Sequence, residues 1–350
     1  MSDFRQDQFD QLAHAYAILP ASARYKQTPE DFIVVEELPF ALSGTGEHAW
    51  LQLRKRDCNT DWVAARIAEH ADVKKHAVGY AGLKDRHAVT TQWFSVHLPG
   101  RDDVDWNGLK LEGVEILQIT RHQRKLQRGA LKRNSFTIRL REIQTGTGCS
   151  IEQIAERCDL VRQQGVPNYY GQQRFGHDLL NLVQAERLFS RPRTRISRHK
   201  RSLYLSAARS WLFNTILSER VSQGKWNRRI DGDVFVLDGR SACFRDDGSS
   251  GLDQRLQHGE IHPSAVLWGE GHSMASSLCE AIEAALVDRY PLFKQGLIDA
   301  RVQQQRRAMR VRVNDIKCRQ HDADLMLTFS LQAGSYATMV LREIIQLNKI

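Results

Sequence analysis

Two strand-rich regions of this 350-residue sequence lie on either side of a helix-rich region, and this order limits the folds open to the chain. Strand-like alternation dominates up to about residue 140 and returns after residue 309, whereas the middle of the chain shows mostly helical spacing. One arrangement that fits is a discontinuous sheet domain with an insertion at 159–308. Two or three sequential domains fit the same pattern, and periodicity alone does not choose between them.

Individual elements follow from runs in which side chains alternate or in which β-branched residues cluster. In the clearest run, Phe136, Ile138 and Leu140 share one face of a strand. The predicted strands are 32–38, 49–54, 93–98, 114–120, 134–140 and 233–237, with further alternating runs at 309–316 and 324–331. The predicted helices are 62–71, 151–164, 178–189, 203–221, 275–289 and 335–347, and residues 77–88 and 238–272 are predicted loops.

Positive charge is concentrated in three tracts that contain no acidic residue, at 121–141, 191–201 and 301–312. The chain has 50 Lys and Arg against 41 Asp and Glu, which gives a formal net charge of +9. Arginine dominates the tracts, and its planar guanidinium suits phosphate oxygens. The tracts favour RNA binding, although a charged run is also typical of a solvated face. The candidate RNA-backbone contacts are Arg121, Arg124, Lys125, Arg128, Lys132, Arg133, Arg195 and Arg198.

Several common classes of site lack support in the sequence. The six cysteines form no CxxC pair and have no histidine at zinc-finger spacing, so we expect no metal. Motifs for a phosphate-binding loop, a dinucleotide, a catalytic zinc or a serine nucleophile are missing, so we expect no cofactor. The N-terminus is polar and the apolar runs are short, which predicts a soluble, cytoplasmic protein without a membrane segment.

The most unusual segment is 79–92, in which Asp85 stands between Lys84 and Arg86 and is followed by His87. Two cations beside a carboxylate favour its ionised form. An ionised aspartate in a pocket can act as a nucleophile or as a base. For the Lys-Asp-Arg tripeptide alone, a surface turn with a local ion pair is the simpler interpretation.

The run GYAGLKDRHAVTTQWFSV resembles the signature of the TruD family of tRNA pseudouridine synthases. Four other segments agree with that family, and together they extend from about residue 20 to residue 345. These segments are KQTPEDFIVVE, Asn134-Ser135-Phe136, PNYYGQQRFG and GSYATMVLRE. The resemblance implies an α+β fold. It implies a catalytic domain of 1–158 and 309–350, built on a mixed, largely antiparallel sheet, and a family-specific inserted α/β domain at 159–308.

The resemblance also implies an activity, the isomerisation of a flipped-out uridine to pseudouridine at position 13 of tRNA. The enzyme is expected to be a monomer that needs no metal and no nucleotide cofactor. By the family motifs, Asp85 would be the catalytic carboxylate and Lys26 the basic residue that holds it. Phe136 would stack on the uracil and Asn134 would form a hydrogen bond near it. The implied substrate-binding residues are Phe32, Asn134, Phe136, Lys84, Arg86 and His87.

Two other functions remain open when the residues are considered alone. A non-catalytic RNA-binding protein could use the same basic faces, but it would have no need of a carboxylate among its cations. An RNA nuclease or glycosidase would usually show a second carboxylate or a histidine pair near the first. The sequence does not place such a partner near Asp85.

Overall fold

A computed structural model describes residues 4, 6–191 and 195–348, which form two compact units. Unit 1 takes in the described residues of Met1–Ile18, Gln163–Arg312 and Ser335–Ile344. Unit 2 takes in those of Leu19–Arg162, Val313–Gly334 and Ile345–Ile350. Unit 1 therefore includes two terminal segments that the sequence-based division gave to the sheet domain. The family-specific insertion at 159–308 stays a prediction.

The helices and strands of the described residues follow the predicted order along most of the chain. The α-helices are α1 (Gln6–Asp10), α2 (Thr60–His70), α3 (Ile151–Gln164), α4 (Leu180–Ser190), α5 (Arg198–Ser222), α6 (Leu252–His258), α7 (Ser277–Val287), α8 (Pro291–Asp299) and α9 (Ala337–Ile344). The strands are β1 (Ala21–Tyr25), β2 (Phe32–Glu37), β3 (His48–Arg56), β4 (Val78–Tyr80), β5 (Val89–His97), β6 (Val114–His122), β7 (Arg133–Thr145), β8 (Val166–Pro167), β9 (Val234–Leu237), β10 (Cys243–Arg245), β11 (Ile261–Leu267), β12 (Gln305–Ala308), β13 (Arg310–Val311), β14 (Lys317–His321), β15 (Asp324–Gln332) and β16 (Gln346–Asn348). No helix of the described residues has the length and apolar content that crossing a membrane would require.

Unit 2 is built on a large mixed sheet with the strand order β14-β15-β7-β2-β5-β3-β6. Strand β1 pairs with β7 and β16, and β4 pairs with the C-terminal part of β5. The pairs β1–β16 and β2–β5 are parallel, whereas the other paired strands of this sheet are antiparallel. The predicted α+β class with a mixed, largely antiparallel sheet is therefore confirmed.

The register of this sheet brings side chains from five strands into one row. Phe329, Phe136, Val34, Thr90 and Lys55 lie directly opposite one another on β15, β7, β2, β5 and β3. Opposite residues of paired strands project from the same face of a sheet. Helix α2 packs on this face against the neighbouring apolar residues of β3 and β5, which include Leu51, Leu53 and Phe94.

Unit 1 has the long helix α5 at its centre, packed against a small antiparallel sheet of order β10-β9-β11-β12. Leu212, Phe213 and Ile216 of α5 are fully or almost fully buried. At the end of this helix, the Arg220 guanidinium donates to the Asp233 carboxylate at 2.8 Å, and both side chains are buried. This pair ties α5 to the residue before β9, so it fixes the small sheet on the helix.

Candidate active site

The loop between β4 and β5 carries Asp85, and a buried lysine of β3 holds the backbone of this loop. Lys55 of β3 is completely buried, and its ammonium donates to the Asp85 carbonyl oxygen at 3.1 Å and to the Cys58 carbonyl oxygen at 2.8 Å. Burial lowers the pKa of Lys55 to about 8, although nearby negative groups, Asp85 among them, oppose this change. Lys55 thus fixes the main chain from which the Asp85 side chain projects.

Lys84 anchors the same loop on its other side. Its backbone N–H donates to the Thr60 hydroxyl at 3.1 Å, and its ammonium donates to the Glu36 carboxylate at 3.1 Å. Glu36 is buried and also accepts a hydrogen bond from the Trp93 backbone N–H at 3.0 Å. The Lys84 ammonium therefore lies in a buried ion pair beneath the loop.

The Asp85 carboxylate forms an ion pair with Lys26, with 3.0 Å between Nζ and Oδ2. About a third of the Asp85 side chain stays exposed, at 37%, so a ligand can reach the carboxylate. Lys26 has a left-handed backbone with φ of 57°, which costs a residue other than glycine roughly 1–2 kcal/mol. The His87 ring donates from Nε2 to the Lys26 carbonyl oxygen at 2.9 Å and helps to hold this conformation.

An aromatic surface continues from this ion pair. The Lys26 ammonium lies 4.0 Å from the centroid of the Phe32 ring, a favourable cation–π distance. Phe32 contacts Phe136 edge to face at 6.0 Å between centroids, and Phe136 stacks on Phe329 at 5.4 Å. The structure therefore connects Asp85, Lys26, Phe32 and Phe136 through successive contacts.

Asn134 lies two residues before Phe136 on the same face of β7, directly opposite Glu36. Its side-chain oxygen is buried and has no hydrogen-bond partner among the described residues. Buried polar atoms in proteins almost always have a partner. The Asn134 oxygen is therefore an unsatisfied acceptor beside Phe136.

Arg86 and His87 are more exposed than the other predicted site residues. The Arg86 side chain is 74% exposed, and its Nε lies 3.9 Å from the Asp57 carboxylate. The His87 Nδ1 lies 3.6 Å from the same carboxylate. These side chains lie at the solvent edge of the loop, both near the Asp57 carboxylate.

The candidate RNA-backbone residues fall into three groups by their contacts and exposure. Arg121 is 17% exposed and forms an ion pair with Asp103 at 2.7 Å. Lys132 and Arg133 both form ion pairs with Glu37. These three cations already have acidic partners, so a phosphate would have to compete for them.

Lys125 and Arg128 have neutral partners instead. The Lys125 ammonium donates to the His76 carbonyl oxygen, and the Arg128 guanidinium donates to the Tyr80 hydroxyl at 2.6 Å. In these two contacts neither positive charge is paired with a carboxylate. The remaining candidates are exposed, and they are Arg124 in unit 2 and Arg195 and Arg198 in unit 1. Arg193, which belongs to the basic tract 191–201, lies outside the described residues.

Sequence reasoning missed the residues that support the site from within, namely Lys55, Glu36 and Thr60. It also missed Tyr25, whose pKa is raised by burial and by the negative charge of Asp85. One signal was available for Lys55. It follows Leu51 and Leu53 at alternating positions, and a lysine at an inward-facing position of a strand requires internal acceptors.

The arrangement suits a planar, neutral ring with hydrogen-bonding edges. Phe136 offers an aromatic contact, Asn134 offers an acceptor, and Asp85 presents a fixed carboxylate beside them. Within the described part of the chain, no group of three or more His, Cys, Asp or Glu side chains is arranged to hold a metal.

Comparison with known proteins gives one consistent result. Residues 13–183 and 177–344 match the family described as tRNA pseudouridine synthase D (TruD). The chain is 48% identical over 340 residues to tRNA pseudouridine synthase D of Methylococcus capsulatus, which covers 97% of this chain and 95% of that protein. It is 44% identical over 336 residues to the protein of that name from Hydrogenovibrio crunogenus, covering 96% of each. A solved structure from Methanosarcina mazei, described as a candidate tRNA pseudouridine synthase D, has a TM-score of 0.74 and 21% identity over 99% of this chain and 98% of that one, and it supports the fold.

Proposed function

Because the chain belongs to the TruD family of tRNA pseudouridine synthases, we propose that it isomerises the uridine at position 13 of tRNA, with Asp85 as its catalytic carboxylate. The observation that carries this proposal is the ion pair between Lys26 and Asp85, at 3.0 Å, beside the ring of Phe32. A carboxylate held in this way is positioned before the substrate arrives. The match to the family model and the two relatives confirm the family resemblance expected from the sequence.

The target uridine has to leave its base stack before Asp85 can reach it. Extrusion of a nucleotide costs a few kcal/mol. Stacking on an aromatic side chain contributes about 1–3 kcal/mol, and in this proposal Phe136 would supply it. The unpaired Asn134 oxygen would accept the hydrogen bond that the uracil N3–H loses on extrusion.

The isomerisation breaks the bond between C1′ and N1 and forms a bond between C1′ and C5. One proton leaves C5 and one is gained at N1, so the reaction is redox-neutral. In one route the Asp85 carboxylate attacks a carbon of the nucleotide, and in the other it removes a ribose proton. In both routes Lys26 would keep the carboxylate aimed, and Asp85 would take the C5 proton at the end of the cycle.

The remaining expectations extend the same proposal. The enzyme would act as a cytoplasmic monomer on tRNA, with no metal and no nucleotide cofactor. Residues 1–158 and 309–350 would form the catalytic domain, and 159–308 the inserted domain. The exposed cations would supply salt-sensitive contacts with tRNA phosphates.

The proposed activity is tested by incubating the protein with tRNA transcripts and mapping pseudouridine at single-nucleotide resolution. We expect pseudouridine at position 13. Pseudouridine at a different uridine would contradict the position, and bound but unmodified tRNA would favour the RNA-binding alternative. Cleaved tRNA or an abasic nucleotide would favour the nuclease or glycosidase alternative.

Phe136 gives a prediction for base stacking. We expect Phe136→Leu to lower kcat by about 10-fold or more, because loss of base–aromatic stacking costs about 1–3 kcal/mol. Binding of whole tRNA should weaken less, since most of its contacts lie elsewhere. Single-turnover kinetics and a tRNA binding isotherm measure the two effects separately.

Phe329→Leu is the matched control, because Phe329 is buried and stacks on the same ring from the neighbouring strand. Each variant should lose a similar amount of stability, about 1 kcal/mol. If both variants lose kcat equally and in proportion to stability, Phe136 serves the core and not the substrate.

A further inference from the structure

Unit 2 contains a cavity of about 650 Å³ beside the loop that carries Asp85. Its walls come from α2, from β4, from the residues before β4 and from the segment 125–128. Gly79 allows β4 and the segment 125–128 to approach each other closely. A β-carbon at Gly79 would lie 2.5 Å from the Leu126 carbonyl oxygen, closer than real β-carbon contacts. The first glycine of the 79–92 segment thus serves the cavity and not the carboxylate.

The lining of this cavity is positively charged. Lys75, Lys125 and Arg128 line it, and Asp61 is the only acid among its described lining residues. Asp61 accepts a hydrogen bond from the Tyr80 hydroxyl, which in turn accepts one from Arg128 at 2.6 Å. The Arg128 guanidinium also lies 4.0 Å from the centre of the Tyr80 ring. Asp61 and Tyr80 thus hold Arg128 in place and leave a net positive charge.

The cavity is close to the candidate active site within the same unit. Asp61 follows Thr60, whose hydroxyl accepts the Lys84 backbone N–H beside Asp85. Tyr80 lies opposite Phe94, and Phe94 belongs to the face of the sheet on which α2 packs. The row that contains Phe136 lies on that same face. The cavity and the loop that carries Asp85 therefore have α2 and β4 as common neighbours.

We propose that this cavity binds a second nucleotide of the RNA substrate, at a position next to or near the target uridine. Its cations match the phosphate, and the apolar wall of Ala64, Val78 and Leu126 matches the flat face of a base. Its volume falls in the usual range for ligand sites, roughly 300–1,000 Å³. This inference rests on the proposed function, since it assumes that RNA is the substrate.

The test compares two pairs of matched variants in tRNA binding at several salt concentrations. Lys75→Gln removes a cation that lines the cavity, whereas Lys74→Gln makes the same change one residue away, outside the lining. Gln127→Glu adds an acid to the lining, and Gln123→Glu adds one four residues earlier, at an exposed position outside the lining. All four positions are exposed, so the melting temperatures of the variants should stay close to that of the wild type.

We expect Lys75→Gln and Gln127→Glu to raise the Kd and KM for tRNA about 5- to 10-fold while kcat changes less than about twofold. The slope of log Kd against log salt should fall by about 1 for Lys75→Gln. Both control variants should bind within about twofold of the wild type. Equal effects in the members of either pair would overturn the assignment of this cavity.

Two further results separate this inference from the proposed function. If the wild type binds tRNA but forms no pseudouridine, the proposed function fails, and the binding comparison still tests the cavity. If the wild type forms pseudouridine but Lys75→Gln binds tRNA normally, the cavity assignment alone fails. Tight binding of 5′-UMP that Lys75→Gln abolishes, without any change in tRNA binding, would assign the cavity to a free nucleotide and overturn the RNA subsite.

Discussion

Asp85→Asn should lower the rate of pseudouridine formation by at least about 10³-fold while tRNA affinity stays within about threefold. Asparagine has the same shape and can still accept a hydrogen bond from Lys26, so the loop should keep its conformation. It lacks the negative charge that both proposed routes require. Single-turnover tritium release from tRNA labelled at C5 of uridine measures the chemical step, and a binding isotherm measures affinity.

Asp57→Asn provides the control for this prediction. Asp57 is a neighbouring, partly exposed aspartate that faces Arg86 and His87, and its positive φ of 51° is one that asparagine accepts well. We expect this variant to lose less than about fivefold in rate. Tritium release by Asp85→Asn at a rate near that of the wild type would refute the catalytic assignment, as would an equal loss in the two variants.

Much of unit 2 could be predicted because its strands carry their own local pattern. Alternation in 134–140 and the β-branched run at 32–38 identified β7 and β2, and those strands bear Phe136, Asn134 and Phe32. The predicted helix at 62–71 corresponds to α2, displaced by one or two residues. Asp85 was identified for a different reason, because the motif that contains it resembles the signature of the TruD family. Its neighbouring charges alone were explained more simply by a surface turn with a local ion pair.

Elements that depend on distant partners could not be predicted. Strands β1 and β16 have five and three residues and pair with each other from opposite ends of the chain. The expectation of a loop at 238–272 was wrong, because this region contains β10, α6 and β11. Strand β11 includes Pro263 and lies between β9 and β12, so pairing on both sides defines it despite its weak local preference.

The residues that hold the Asp85 loop could not be predicted from the sequence for a related reason. Glu36 and Lys84 are separated by 48 positions, and nothing local indicates that they form a buried ion pair. Lys55 holds the backbone of a residue 30 positions away. Such contacts follow from strand register, which a single sequence specifies only through the fold as a whole. The sequence thus identified Asp85 and the Lys26 that holds its carboxylate, but not the buried residues that hold the loop.

Lys26→Met should lower kcat about 100-fold, equivalent to about 2.7 kcal/mol of lost transition-state stabilisation. Methionine has a similar length but leaves the Asp85 carboxylate without the ammonium that lies 3.0 Å away, and it leaves the Phe32 ring without its cation. KM for tRNA should change less than about threefold, because Lys26 is proposed to orient Asp85 and not to bind RNA. Steady-state kinetics on tRNA transcripts separate the two constants.

Lys26→Arg tests whether the charge or the fold accounts for that loss. Both substitutions keep a β-carbon at the same left-handed position, so they impose the same backbone requirement. If charge is what matters, arginine should restore kcat to within about 10-fold of the wild type while methionine does not. Equal losses in kcat together with equal falls in melting temperature would mean that Lys26 maintains the loop conformation. A methionine variant with nearly normal kcat would show that the carboxylate needs no cation to stay aimed at the uridine.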